Sequence, residues 1–336
     1  MKDSTERSVI RTSKLSRAFK KIPALRDLDL SIEPGELFGL VGPDGAGKTT
    51  ALRLMAAVMR PTSGRVTIVG YDSVRHAEAI RAHVGYMPQR FSLYADLSVL
   101  ENLNFYADIF GVGGDERKRR IAQLLAFAHL EPFTDRRAGQ LSGGMQKKLA
   151  LACTLIHRPD VLLLDEPTTG VDPVSRREFW DILTDLHISG TTIVVSTPYM
   201  DEAERCNRVG LLFRGELIEC GTPDAIKSRV PGQLLELQPE PLERAGAVLE
   251  NHPGVIQVQV YGDLLHAFVD DAARHMPQLK AALESAGVRV KRIRITPPRM
   301  EEAFMSRIRQ MEEARGRRQE AGCKMQEAGG EEKEAG

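Results

Sequence analysis

The residues from Gly42 to Thr49 could bind the phosphates of a nucleotide. Gly42, four further residues and then Gly47-Lys48-Thr49 form the pattern of a phosphate loop, whose glycines let the backbone turn tightly and aim N–H groups at phosphate oxygens. Lys48 adds a charge for the terminal phosphates, and the Thr49 hydroxyl is placed to ligate Mg²⁺. An apolar segment, Leu37–Val41, precedes the loop, and a helical run, Thr49–Met59, directs its dipole at the same phosphates. The candidate phosphate-binding residues are Gly42, Pro43, Asp44, Gly45, Ala46, Gly47, Lys48, Thr49 and Thr50.

Two adjacent acids, Asp165 and Glu166, follow the apolar run Val161–Leu164. Such a run is expected for a buried parallel strand, and the ligands of parallel sheets collect at the carboxyl ends of the strands. There the first acid could hold the Mg²⁺ shell, and the second could orient or deprotonate an attacking water. A pair of exposed acids at a turn is the alternative, but the phosphate loop upstream favours a phosphoryl-transfer site.

A third candidate segment, Leu141–Gln146, reads Leu-Ser-Gly-Gly-Met-Gln and opens a helical run. Ser142 is a natural N-cap, and the glycines Gly143 and Gly144 permit close backbone approach to an anion. The start of this helix could receive a γ-phosphate. By composition alone it could equally be a simple helix cap.

Length, charge and cysteine content narrow the class of protein. The chain has 336 residues, enough for one large domain and a smaller one. Lysine plus arginine equals aspartate plus glutamate at 46 each, so the net charge gives no indication of a nucleic-acid partner or an acidic substrate. The four cysteines are scattered, which indicates reduced thiols, and the histidines show no metal-ligand spacing. No apolar segment is long enough to span a bilayer and we expect no secretion signal, so any membrane work should fall to another chain.

The order of predicted elements indicates an α/β fold. Residues Val9 to Leu30 alternate like two strands of an antiparallel edge, and apolar strands then alternate with helices. A helical block at about residues 90–155, containing a capping box at Ser98-Val-Leu-Glu101, looks like an insertion between strands. We assign residues 8–230 to this α/β domain, 233–306 to a small α+β appendage and 307–336 to a charged, disordered tail. Within the appendage the pattern predicts strands at Leu234–Leu237, Val255–Val260, Leu264–Val269 and Val288–Ile295, and a helix at Ala272–Ser285.

These motifs together resemble an ATP-binding cassette, the nucleotide-binding subunit of ABC transporters, over about residues 8 to 230. The resemblance implies a P-loop NTPase core of the ABC type, with ATP and Mg²⁺ as cofactors. The appendage is similar to the extension of exporter ATPases of the daunorubicin-resistance type, on the segment Pro298-Arg-Met-Glu-Glu-Ala-Phe304. The motifs that carry the cassette resemblance are Gly42–Thr49, Gln89, Leu141–Gln146, Leu164-Asp165-Glu166-Pro167 and Gly170-Val-Asp172.

The resemblance also implies a role for each matching residue. Phe19 would stack on adenine, Gln89 would contact Mg²⁺ or the attacking water, and Glu166 would be the catalytic base. Asp172 would bridge two cassettes, while Ser142 and Gly144 would touch the γ-phosphate held by a partner cassette. A core phenylalanine on an edge strand is the alternative for Phe19. The candidate catalytic residues are then Glu166, Gln89 and Lys48, and the candidate metal ligands are Thr49, Gln89 and Asp165.

The sequence departs from the family pattern at two positions. Pro198 stands where the family normally has a switch histidine that hydrogen-bonds the γ-phosphate, and proline has no donor to offer. Loss of one preorganised donor costs roughly 100- to 1000-fold in rate elsewhere, so we expect tight ATP binding and slow hydrolysis. We expect folding to be undisturbed, with Thr197 capping the next helix and Pro198 in its first turn. Asp44, where asparagine is usual, is a minor departure.

The predicted function is the ATPase subunit of a membrane exporter of drugs or other hydrophobic compounds. It would work at the cytoplasmic face of the cell membrane, paired with a second cassette and bound to permease subunits. The permease should dock on the helical block, where Phe91, Leu93 and Tyr94 are candidate contacts unless they are buried within it. Two alternatives remain open: a binding-only regulatory cassette, which Pro198 favours, and a soluble cassette working on ribosomes or DNA. We expect no nucleic-acid partner.

Overall fold

The computed structural model describes residues 8–90 and 93–314. The chain divides into two compact units, Met1–Pro223 and Asp224–Gly336, so the division falls slightly before the predicted boundary at residue 230. The strands of the first unit are β1 (Ile10–Phe19), β2 (Ile22–Ile32), β3 (Leu37–Val41), β4 (Ser63–Ile68), β5 (Tyr71–Asp72), β6 (Val84–Met87), β7 (Val161–Asp165), β8 (Thr192–Thr197), β9 (Arg208–Phe213) and β10 (Glu216–Gly221). Its helices are α1 (Lys48–Met55), α2 (Ala77–His83), α3 (Val99–Ile109), α4 (Gly114–Ala128), α5 (Gly143–Leu155), α6 (Pro173–Ile188) and α7 (Met200–Ala203).

The first unit contains two sheets with helix α1 packed against both of them. The first sheet has the order β2-β1-β4-β5 and its strands pair antiparallel, which confirms the predicted antiparallel edge. The second has the order β10-β9-β3-β8-β7-β6, and every neighbouring pair except β10 with β9 is parallel. One apolar cluster joins Ile10 and Leu28 of the first sheet, Leu52 of α1, and Phe38 and Leu163 of the second.

Strands β3 and β7 are buried at every position, as expected for parallel strands covered on both faces. They lie on either side of β8. Because both pair with β8 in parallel, their carboxyl ends meet at the same edge of the sheet. This edge carries Val41, which leads into the phosphate loop, and Asp165.

Helices α3, α4 and α5 form the predicted insertion between β6 and β7. The predicted capping box is confirmed, because Glu101 N–H donates to Ser98 Oγ at 3.1 Å and Ser98 N–H donates to Glu101 Oε2 at 2.7 Å. Helix α3 therefore begins at Val99 with both ends of the box satisfied. No helix in the described part of the chain has the length and apolar character needed to cross a bilayer.

The second unit is a four-stranded antiparallel sheet with helices on both faces. Successive side chains of a strand point to opposite faces. Leu235 and Leu265 face α9 and α10 in one apolar core, whereas His266 contacts Glu302 of a helix on the other side. The elements are α8 (Pro223–Lys227), β11 (Gln233–Glu240), α9 (Leu242–Glu250), β12 (Val255–Tyr261), β13 (Leu264–Val269), α10 (Ala272–Ser285), β14 (Arg289–Thr296) and a helix over residues 300–314, with the sheet order β12-β13-β11-β14.

Two expectations for this unit need correction. Helix α9 is absent from the sequence prediction, although its Leu242, Ala245 and Leu249 recur at helical spacing and pack on the sheet. The predicted tail begins at residue 307, but residues 307–314 continue the helix. Phe304 is buried and Ile308 and Met311 are half-buried on the same face, so packing extends the helix. The remainder of the predicted tail, with Cys323, lies outside the described residues.

Candidate nucleotide-binding and hydrolysis site

The phosphate loop leaves β3 and enters α1 as predicted. Gly45 and Gly47 have φ values of +77° and +106°, which glycine adopts without strain. A Cβ on Gly42 would lie 2.1 Å from the Leu212 carbonyl oxygen, and one on Gly47 would lie 2.5 Å from the Ala24 carbonyl oxygen. The loop thus depends on glycine both for its turns and for its close contact with neighbouring backbone.

Lys48 begins α1 and is 3% exposed. Its Nζ donates to the carbonyl oxygens of Gly42 at 2.8 Å and Pro43 at 3.0 Å. The same atom lies 3.1 Å from Glu166 Oε1. The ammonium therefore folds over its own loop and reaches the candidate catalytic base.

Asp165 is fully buried at the end of β7, and its carboxylate accepts hydrogen bonds from three hydroxyl groups. Thr49 Oγ1 donates to Oδ1 at 3.0 Å, Ser196 Oγ donates to the same oxygen at 2.8 Å, and Tyr86 OH donates to Oδ2 at 3.4 Å. Burial, together with Asp165, raises the pKa of Tyr86 and keeps it a donor. Hydroxyl and carboxylate oxygens are the ligands that Mg²⁺ prefers, and Mg²⁺ takes its remaining ligands from phosphate and water. The residues present fit such an ion.

Glu166 is held by contacts from three segments. Gln89 Nε2 donates to its Oε2 at 2.7 Å, Thr169 Oγ1 donates to the same oxygen at 3.3 Å, and Lys48 approaches the other oxygen. Its backbone has a φ of +47°, and its N–H donates to Ser196 Oγ at 3.0 Å. A non-glycine residue in this region costs about 1–3 kcal/mol and persists only where its surroundings fix it. The carboxylate is therefore aimed by the protein rather than left free at a turn, which excludes the exposed-acid alternative.

The segment Leu141–Gln146 forms the cap of α5. Ser142 Oγ accepts a hydrogen bond from Met145 N–H at 3.3 Å. Ser142 and Gly143 are exposed, whereas Gly144 is buried so closely against α6 that a Cβ would lie 2.5 Å from Ser175 Cβ. The helix cap is thus real, and the predicted contact of Ser142 and Gly144 with a phosphate stays a prediction.

Asp172 caps the neighbouring helix α6. Its Oδ1 accepts from the N–H groups of Ser175 at 3.0 Å and Val174 at 3.1 Å. The hydrogen bonds from Ser175 and Val174 lower the pKa of this exposed carboxyl. Its predicted role as a bridge between two cassettes stays a prediction.

Phe19 ends strand β1 and is 44% exposed, so it is not a core residue. The Arg17 guanidinium lies 4.9 Å from the centre of its ring. Its hairpin continues into β2, where the Ala24 carbonyl approaches Gly47 of the phosphate loop. Stacking of Phe19 on adenine remains a prediction that this exposure permits.

The prediction for Thr197 is wrong. The next helix, α7, begins at Met200 with Tyr199 as its N-cap. Thr197 Oγ1 accepts from Tyr199 N–H at 3.0 Å and donates to Glu202 Oε2 at 2.5 Å, so its hydroxyl closes a turn before the helix. Pro198 sits in that turn rather than in the first turn of α7.

A buried carboxylate, Glu202, joins this turn to two other segments. It is 1% exposed and accepts hydrogen bonds from Thr168 Oγ1 at 2.6 Å, Arg176 Nε at 2.6 Å and Thr197. Thr168 lies two residues after Glu166, and Arg176 lies in α6. Sequence reasoning missed this cluster and also Ser196, because only the β7–β8 register brings Ser196 opposite Asp165.

Comparison with known proteins places the chain in a family. Residues 25–169 match the family model "ABC transporter", and residues 221–308 match "ATP-binding protein DrrA1-3-like, C-terminal domain". The chain is 37% identical over 281 residues to the Nod factor export ATP-binding protein I of Burkholderia thailandensis, covering 83% of this chain and 90% of that protein. The chain belongs to the ABC transporter ATP-binding proteins. It is 33% identical over 304 residues to the daunorubicin resistance ATP-binding protein DrrA2 of Streptomyces coeruleorubidus, covering 88% of this chain and 94% of that protein.

A further relative is longer than this ABC protein. The probable multidrug ABC transporter ATP-binding protein YbhF of Escherichia coli is 45% identical over 294 residues, which cover 84% of this chain. The chain spans only 49% of that relative's length.

Solved cassettes share the fold of the first unit. The dimeric post-hydrolysis structure of the cassette MJ0796 bound to ADP and Pi matches with a TM-score of 0.60 at 30% identity, covering 63% of this chain and 98% of that one. The CbiO1 subunit of the CbiONQ transporter complex from Clostridium perfringens matches with a TM-score of 0.62 at 27% identity, covering 67% and 92%. This ABC protein is therefore a P-loop ATPase of the ABC type, as the cassette motifs predicted.

Proposed function

We propose that this chain hydrolyses ATP to energise a separately encoded permease that exports drugs or other hydrophobic compounds. The observation that supports the chemistry is the convergence of Lys48, Thr49, Gln89, Asp165 and Glu166 at one sheet edge. Relatives named for Nod factor export and for daunorubicin resistance support export as the direction of transport.

The geometry suggests how these side chains would act on ATP. Loop N–H groups and Lys48 would bind the phosphates, and a Mg²⁺ ion held by Thr49 and Asp165 would neutralise developing charge. Lys48 now donates to Gly42 and Pro43 and pairs with Glu166, so it must turn toward the phosphates when ATP binds. That movement frees one oxygen of Glu166 to accept a proton from the attacking water, while Gln89 holds the other.

Pro198 supports the further proposal that hydrolysis at this site is slow. The turn around it is ordered by Thr197 and Glu202, but it presents no side-chain donor where the family histidine would stand. Binding of ATP does not depend on that donor, so the affinity for ATP should be high while the rate of hydrolysis is low.

Pairing with a second cassette, as a homodimer or a heterodimer, would complete the site. Ser142 is exposed at the start of α5 and Asp172 is exposed at the start of α6, so both are accessible to a partner. The matching MJ0796 structure is dimeric. A partner that retains its histidine would give one fast and one slow site.

Permease docking on the helical insertion would place the chain at the cytoplasmic face of the cell membrane. Of the predicted contacts, Tyr94 is 50% exposed and packs edge-on against Phe105, whereas Leu93 is buried within the insertion. Phe91 lies outside the described residues. Tyr94 is therefore the remaining candidate contact.

Turnover of the Pro198→His variant in the transporter purified with its permease tests the slow-site proposal. We expect an increase of about 100-fold, the lower end of what one preorganised donor supplies. Asp44→Asn restores the other family residue, within the phosphate loop, and should change turnover much less than Pro198→His. Unchanged turnover in Pro198→His, with ATP binding and assembly preserved, would contradict the proposal.

Purification of the tagged chain from membranes tests the transport role. We expect permease chains and a second cassette to co-purify, and identification of those chains would name the partners. Recovery with ribosomes or DNA and without membrane chains would favour the soluble alternative. A wild-type complex that binds ATP without hydrolysis would favour the binding-only cassette.

A further inference from the structure

Lys147 lies on α5, five residues after the cap Ser142, and contacts the loop that carries Gln89. Its Nζ donates to the backbone carbonyl oxygen of Gln89 at 2.7 Å. Burial lowers the pKa of Lys147, while the nearby carboxylates of Asp165 and Glu166 oppose that shift. A lysine half-buried beside two acids stands at the edge of the hydrolysis site without belonging to any motif that defines it.

The contact continues to the candidate base. The side-chain amide of Gln89 donates to Glu166 Oε2 at 2.7 Å, so Lys147, Gln89 and Glu166 form one chain of polar contacts. The chain links the insertion helix α5, the segment after β6 and the end of β7. Two short hydrogen bonds, with Gln89 between them, therefore link α5 to Glu166.

The same helix begins with the residue proposed to meet the partner's nucleotide. Ser142 and Lys147 are separated by about 7.5 Å along the axis, within a single continuous helix. In the proposed pair, movement of the Ser142 end on closing against a partner site would be transmitted by the helix to the Gln89 carbonyl. One helix would thus reach both nucleotide sites of the proposed pair.

We propose that Lys147 is a positioning residue that couples occupancy of the partner's site to the orientation of Glu166 in its own chain. This inference rests on the proposed ATP-driven pairing of cassettes. Lys147 acts through the Gln89 carbonyl and takes no proton from substrate. Its substitution should lower kcat and leave the affinity for ATP unchanged.

The kinetic test uses the full-length chain in its transporter complex, with Lys147→Met and Lys147→Arg. We expect kcat to fall about tenfold in Lys147→Met, the lower end of the cost of losing an outer supporting contact, with KM for ATP unchanged and cooperativity in ATP reduced. Lys147→Arg keeps a donor and should recover most of the activity. Lys118→Met, on the exposed side of α4, is the matched control, because Lys118 is 83% exposed and its one ion pair among the described residues is with Asp115.

A double-mutant cycle separates coupling from general damage. Lys147→Met should have little further effect in a Gln89→Ala background. In that background the alanine side chain cannot reach Glu166, so the contact of Lys147 with residue 89 is no longer linked to Glu166. Equal effects of Lys147→Met in both backgrounds, or wild-type kcat and cooperativity in the single variant, would overturn the proposal.

Hydrogen exchange tests the contact independently of hydrolysis. Without nucleotide, backbone amides in residues 84–90 should exchange faster in Lys147→Met than in the wild type and in Lys118→Met. Unchanged exchange would overturn the proposal even if the complex hydrolyses ATP. Faster exchange in a chain that proves unable to hydrolyse ATP would instead place the failure in the proposed function.

Discussion

The two units both bury carboxylates against basic side chains, but they do so at different places on their sheets. In the cassette, Asp165 and Glu166 stand at the carboxyl end of β7, and their partners come mainly from loops and from the start of α1. In the C-terminal unit, Glu236 lies within β11, directly opposite His266 of β13 and Arg294 of β14. The cluster at the end of β7 can therefore rearrange with its loops, whereas the cluster within β11 is fixed by the sheet.

The contacts of the C-terminal cluster show what that fixing involves. Glu236 is 2% exposed and accepts from Arg292 at 2.6 Å and Arg294 at 2.7 Å. His266 Nδ1 donates to Glu302 Oε1 at 2.9 Å, from the sheet to the helix that covers it. A buried charge is tolerated only when it is paired, so we interpret this cluster as one that holds the fold of the unit together.

The comparison predicts its largest effect at Glu166. Glu166→Gln removes the proposed base and should lower ATP hydrolysis about 1000-fold, within the range for general acid–base catalysis. Affinity for ATP should not fall, because Lys48 no longer has to leave a carboxylate to reach the phosphates. Steady-state hydrolysis and nucleotide titration of the full-length chain measure both. Residual hydrolysis within tenfold of wild type would assign the base elsewhere.

The matching substitution in the other cluster should change stability and not chemistry. Glu236→Ala leaves Arg292 and Arg294 without their carboxylate and should cost about 3 kcal/mol of unfolding free energy, near the lower bound for a broken buried pair because the arginines are half-exposed. Glu240→Ala, on the same strand with an exposed partner, Lys291, should cost much less, because exposed ion pairs contribute little to stability. Denaturant unfolding followed by hydrogen exchange in β11 measures the difference. An equal loss of unfolding free energy in the two variants would mean that the buried pair contributes no more to stability than the exposed one.

Acid should reveal the same cluster without mutation. The hydrogen bonds from Arg294 and Arg292 lower the pKa of Glu236 from an ordinary 4.5 to about 2. A carboxyl with a lowered folded-state pKa contributes stability that is complete above its unfolded value and is lost as pH falls through the folded value. The C-terminal unit should therefore weaken progressively between pH 4.5 and about 2, and Glu236→Gln should flatten that profile in melting experiments. An unaltered profile would show that Glu236 does not carry the titration.

Sequence alone predicted the parts of the cassette that are determined locally. The phosphate loop, the apolar run before Asp165, the Ser98 cap and the two-strand edge each follow from a few consecutive residues. These predictions hold in the structure because turns, helix caps and buried strands depend on residues close together in the sequence.

What the sequence could not predict depends on which strands and helices become neighbours. Lys147 meets Gln89 across 58 positions, and Glu202 meets Thr168 across 34. The prediction that Thr197 caps a helix is wrong because its hydroxyl donates to Glu202, which lies 5 residues later in the chain. In the appendage, β11 extends to Glu240 through Pro239, a residue that normally argues against a strand.

The smallest predicted effect tests how the covering helix is attached. Glu302 accepts from His266 Nδ1 and, through Oε2, from Arg299 N–H at 2.7 Å. Burial raises its pKa, but the hydrogen bonds from His266 and from backbone N–H groups outweigh burial and lower it. Glu302→Gln keeps one acceptor and turns an amide N–H₂ toward a donor, so it should cost about 1 kcal/mol.

Hydrogen exchange in residues 300–314 measures that cost where it acts. Glu301→Gln makes the same chemical change one residue away on the exposed side of the helix and should have no effect. Faster exchange confined to Glu302→Gln, with unchanged ATP hydrolysis, would assign His266 and Glu302 to attachment of the helix. Equal exchange in both variants would mean that apolar contacts such as Phe304 hold the helix without help from the buried ions.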